Sequence, residues 1–77
     1  KNANKATKLF RMAAEQGCAE AQCQLGIRMI EGIGSRKNWN AGIKWLKKAH
    51  KGGYEPAKTY LSEYDTLFNR ILHKFIK

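Results

Sequence analysis

The chain has 77 residues, 43% of them hydrophobic and 27% charged, with one proline, two cysteines and a formal net charge of +9. An apolar share near the globular norm excludes a disordered or fibrous polymer, and a chain this short buries only roughly 60% of its unfolded surface, leaving one thin core without a roofed catalytic cleft. No run approaches the ~20 apolar residues of a membrane-spanning helix, and the N-terminus lacks the charged, apolar and small-residue order of a signal peptide.

A complete enzyme is therefore not expected, and neither is a cofactor. The chain starts at Lys1 without a methionine, which points to a processed protein or a piece of a longer one. Cys18 and Cys23 stand five apart, about 140° around a helix, so they read as reduced small hydrophobes and fit an intracellular setting better than an oxidising one. A periplasmic or secreted setting follows only if an upstream signal peptide was removed.

Apolar residues recur at three-to-four spacing with no strand-type alternation, so the chain reads as all-α. Gly17, the Gly32-Ile33-Gly34-Ser35 stretch and Gly52-Gly53 are helix stops, and Pro56 suits a first helical turn. Four helices follow, at about 4–16, 19–31, 39–51 and 55–76. On the first, Leu9, Phe10, Ala13 and Ala14 fall within about 80° of Ala6, so small residues let a partner helix approach while the aromatic fills the gap. On the last, Ala57, Tyr60, Leu61, Tyr64, Leu67, Phe68, Ile71, Leu72 and Phe75 form one stripe roughly 30 Å long. That exceeds the second helix of a hairpin. It reads as a repeat helix running into, or followed by, a cap over the open end of a stack, or else as a docking helix for a partner or membrane surface.

Shifting the sequence by 36 residues superimposes Asn2 on Asn38, Asn4 on Asn40, Lys8 on Lys44, Ala13 on Ala49, Gly17 on Gly53, Ala21 on Ala57 and Leu25 on Leu61. Two stacked helical hairpins are the simplest account. Lys5-Ala6, Leu9-Phe10, Ala13-Ala14-Glu15-Gln16-Gly17, Ala21, Leu25-Gly26, Gly32-Ile33-Gly34 and Asn38 together resemble a Sel-1-like repeat, a relative of the tetratricopeptide repeat. In the second unit Trp45-Leu46, Ala49, Gly53, Ala57 and Leu61 fit, whereas Gly42 stands where the family usually has alanine and Ser62 replaces a glycine. The resemblance covers residues 2 to about 65. It implies a short right-handed α/α solenoid in a single domain, with repeats at about 2–37 and 38–65 and a capping segment at about 66–77, and a protein-interaction scaffold without activity.

Charge is concentrated late in the chain. Residues 1–34 carry five Lys/Arg against three Asp/Glu, and residues 35–77 carry ten against three. Lys44, Lys47, Lys48 and Lys51 project from one arc of about 100° on the third helix, opposite the Gly42, Trp45, Leu46 and Ala49 side. Lys8 and Arg11 hold equivalent positions on the first helix. In stacked hairpins the first helices line the concave surface, so six cations are expected to face one groove and to attract an acidic protein or peptide. Nucleic acid or an anionic surface is the alternative, weakened because no residue stands out to read or stack on bases. A third reading is that the segment simply closes a longer array. Trp39 is expected to pack beneath the preceding loop or to contact a partner. His50, His73, Cys18 and Cys23 form no zinc-site spacing, so no metal is expected.

Overall fold

A computed structural model describes residues 3–75; Lys1, Asn2, Ile76, Lys77 and the Phe75 side chain, with the expectations that fall on them, lie outside the described residues. Four helices follow one another: α1 (Ala3–Glu15), α2 (Ala19–Glu31), α3 (Trp39–Lys51) and α4 (Glu55–Phe75). Among the described residues there is no strand. The chain is an α/α solenoid, and its most extensive helix interface is α2 on α3, between the hairpins, followed by α1 on α2 and α3 on α4.

The two hairpin turns are built alike because the same backbone demand recurs 36 residues apart. Gly17 and Gly53 sit at φ 98° and 95°, left-handed values that only glycine adopts at no steric cost. Around them Cys18 N–H donates to Ala13 O at 3.1 Å and Tyr54 N–H to Ala49 O at 3.0 Å. The longer link between hairpins ends α2 with a left-handed Gly32, whose N–H bonds Arg28 O, and starts α3 with Asn38, whose side chain accepts from Ala41 N–H at 3.1 Å. That cap satisfies one of the first-turn donors the helix leaves unpaired.

Two sub-clusters make the core. Ala14, Ala21, Leu25 and Met29 join the helices of the first hairpin, with Phe10, Ala13, Ala41 and Trp45 leaning on them. Cys23, Ile30, Leu46, Ala49 and Ala57 join α2, α3 and α4. The α2–α3 crossing is close because Gly26 faces Gly42: a Cβ on either would stand 2.6 Å from the other's carbonyl oxygen. The departure from alanine at Gly42 thus has a cause in this chain, since Ile30 Cγ1 would lie 2.5 Å from that Cβ as well.

Among the described residues no buried side-chain polar atom lacks a hydrogen-bond partner. Gln22 Nε2 donates to Ala14 O at 3.1 Å, and Thr7 Oγ1 donates to Ile33 O at 2.8 Å while accepting from Arg28 Nη1 at 3.3 Å. These bonds tie the 32–35 link back onto α1. Both cysteines are free, Cys18 exposed and Cys23 buried; burial, then the nearby Glu20 charge, pushes the Cys23 thiol up.

The last helix is unbroken, so the 66–75 segment is the distal part of α4. At 1.5 Å per residue α4 is roughly 31 Å long against about 20 Å for α3, and it overhangs the start of α3 by about 10 Å. Along the overhang Phe68, Ile71 and Leu72 remain exposed, at 48, 47 and 38%. No described helix is long and apolar enough to cross a membrane.

Candidate functional site

α3 places the basic residues. Its sequence, WNAGIKWLKKAHK, contains no Asp or Glu, and the 3.6-residue period that buries Gly42, Leu46 and Ala49 turns Lys44, Lys47, Lys48 and Lys51 outward, all exposed. On α1, Lys8 is exposed and Arg11 half-buried.

Three of the four lysines border two apolar flanks, and Lys51 borders neither. Toward α1, Lys44 and Lys48 line a hollow of about 440 Å³ with Ala41 and Trp45. The Lys48 ammonium lies 5.0 Å from the Trp45 ring centroid, a cation–π contact worth about 0.5–1 kcal/mol at an exposed site. Trp45 is thus half core and half surface, a role that its pairing with Leu46 in the repeat pattern does not reveal. Toward α4, Lys47 rims a groove of about 500 Å³ with Trp39, Ile43, Leu61, Asp65 and Phe68 along it. Lys8 and Arg11 line neither space.

Trp39, expected either beneath the 32–38 link or against a partner, makes its aromatic contacts with α4. Its ring meets α4, edge-on to Tyr64 at 5.5 Å and tilted against Phe68 at 6.2 Å. The reason is antiparallel pairing: the start of α3 lies opposite the middle of the long α4, whose aromatics offer a better apolar wall than the glycine-rich link. Trp39 therefore forms the groove's floor.

Tyr64 donates to Glu31 Oε2 at 3.3 Å. Burial, then the Glu31 charge and this hydrogen bond, push its phenol from the ordinary 10 up to about 12. The folded state therefore favours the neutral phenol; this contribution to stability is full below pH 10 and is lost as pH rises toward 12. Alkaline melts should show the wild-type Tm falling more steeply across that window than that of Tyr64→Phe, and equal slopes would refute the coupling.

No group of three or more His, Cys, Asp or Glu among the described residues is placed to hold a metal ion. The surface offers charge and apolar relief, the chemistry of binding.

Comparison with known proteins gives a consistent family match. The Sel1 repeat model matches residues 1–18 and 19–54, the second match having the same 36-residue length as the internal period. A rat protein, DAP3-binding cell death enhancer 1, is 37% identical over 65 residues, 84% of this chain and 12% of its own length. An F-box protein of Arabidopsis thaliana is 40% identical over 58 residues, 75% of this chain and 16% of its own. An uncharacterized protein of Neisseria meningitidis serogroup B is 38% identical over 55 residues, 71% and 12%. The chain spans only 12 to 16% of the length of these relatives.

Proposed function

Because the chain belongs to the Sel1 repeat family, whose helical solenoids are typically protein–protein interaction modules, we propose that it binds an acidic protein or peptide along the lysine face of α3. The observation that carries this reading is a helix with four exposed lysines and no carboxylate, bordered by a groove whose floor is Trp39. Carboxylates of the partner pair with Lys44, Lys47, Lys48 and Lys51, and an apolar side chain enters between Trp39, Ile43, Leu61 and Phe68. Lys8 and Arg11 extend the field on α1 and raise the encounter rate more than the affinity. Exposed ion pairs contribute little each, about 0–1 kcal/mol, so the apolar anchor supplies specificity and the charges supply register. One relative is itself named for binding another protein.

The test is a titration with a synthetic amphipathic helix bearing glutamates on one face and leucines on the other. The wild type should bind with an affinity that falls as salt rises, and Lys44→Glu/Lys47→Glu/Lys48→Glu should weaken it at least about tenfold, a loss of about 1.4 kcal/mol. These side chains are exposed, so the variant's Tm should stay within a few degrees. Unchanged affinity in the variant, or tighter binding of duplex DNA than of the peptide by the wild type, would overturn the proposal.

A further inference from the structure

The far half of α4 carries an apolar face that its own hairpin leaves open. Leu67, Phe68, Ile71 and Leu72 are 42, 48, 47 and 38% exposed, because α4 runs past the start of α3, where Trp39 meets Tyr64 and Phe68. Contiguous exposed apolar side chains mark an interaction site where scattered ones do not. Phe68 turns toward the groove that Lys47 rims. Leu67 and Ile71 stand about 60 to 100° away from it, on the other side of the stripe.

The charges beside Leu67 and Ile71 are sorted by sign along the helix. Glu63, Arg70 and Lys74 fall within about 60° of Leu67, on the flank away from the groove. All three are exposed, with the acid first in chain order and both cations after it. Glu31 adds a second exposed carboxylate at the acidic end, since its Oε2 accepts from the Tyr64 hydroxyl at 3.3 Å. A flank that is acidic at one end and basic at the other complements itself when a copy is turned end for end. A parallel copy would bring the acidic ends together. A bilayer fits less well, because an anionic surface laid on this face would meet Glu31, Glu63 and Asp65 at its edge.

We propose that a second copy of the chain covers this face, its α4 lying antiparallel across a two-fold axis level with Asn69. In that register Leu67 of each copy packs against Ile71 of the other. Lys74 of each copy comes level with Tyr64 of the other, between Glu63 and Glu31. The contact is isologous, so the two ends of the interface are satisfied alike. Arg70 lies further round the helix, toward solvent. The four apolar side chains offer roughly 300 Å² of each copy, below the ~800 Å² of a standard interface, so the dimer is weak and dissociates in the micromolar range. Lys44, Lys47 and Lys48 border other spaces, and the inference stands apart from the acidic-partner reading.

Sedimentation equilibrium of the full chain between about 10 µM and about 1 mM reads the assembly. The weight-average mass should rise with concentration from that of the monomer toward twice that value. Leu67→Ser/Ile71→Ser should hold it at the monomer value with the Tm within a few degrees, since both side chains are exposed. Glu63→Lys and Lys74→Glu should each weaken the dimer at least about fivefold, and an equimolar mixture of the two variants should associate more tightly than either alone. A chain still monomeric at about 1 mM, whether or not it pellets with phosphatidylglycerol vesicles, would overturn the proposal. So would an association that survives Leu67→Ser/Ile71→Ser, or a mixture no tighter than its components.

Discussion

Replacing Leu46 by alanine is expected to lower the melting temperature by at least about 10 °C. Leu46 is fully buried at the point where three helices meet: Gly26 and Cys23 come from α2, Ala57 comes from α4, and α3 carries the leucine itself. Truncation removes its transfer free energy and leaves a cavity that glycine and alanine neighbours cannot collapse into, so the cost belongs in the range of about 2–5 kcal/mol. At about 0.05–0.15 kcal/mol per residue, a chain of this size holds roughly 4–12 kcal/mol in all. The variant should therefore be a large step toward unfolding, visible in a thermal melt followed by circular dichroism. A Tm within two or three degrees of the wild type would mean that the two hairpins are not held together through α3.

The second large effect concerns the helix crossing itself. Gly26→Ala should destabilise the protein by about 1–2 kcal/mol even though alanine is the better helix former by about 1 kcal/mol. The added methyl would stand 2.6 Å from Gly42 O, 3.2 Å from Leu46 N and 3.0 Å from Leu46 Cγ. Two of those atoms are backbone, so relief requires the helices to separate rather than one side chain to rotate. Denaturant unfolding measures it, with a lower midpoint and an unchanged slope as the expected result. A midpoint equal to or above the wild type's would show that propensity outweighs the close approach, and that Gly26 and Gly42 are not a matched pair.

Much of this architecture is legible from residue order because its determinants are local. Glycines at Gly17, Gly32 and Gly53 take left-handed backbone values, and the lysine stripe of α3 follows from helical period alone. What is not legible depends on contacts between distant residues. Trp39 finds Tyr64 and Phe68, 25 and 29 residues later, and only the length and antiparallel course of α4 decide that. Thr7 looks neutral on an apolar face, yet it holds the inter-hairpin link through Ile33 O and Arg28. Trp45 pairs with Leu46 in the repeat pattern, but only the structure shows that Leu46 is fully buried while Trp45 is half-buried, leaning on the first cluster on one side and meeting Lys48 on the other. The stripe on α4 is evident as a pattern. Its exposure beyond Phe68 is not, because a pattern names the apolar face without naming what covers it.

On the proposed reading an acidic partner lies on α3 with an apolar anchor in the groove lined by Trp39. The most direct measurement is a ¹H–¹⁵N NMR titration of the chain with the glutamate and leucine helix. Binding as proposed should shift the backbone signals of Lys44, Lys47, Lys48 and Lys51 together with the indole N–H of Trp39. Perturbations confined to α1 and α2, or none along α3 at saturating peptide, would contradict it.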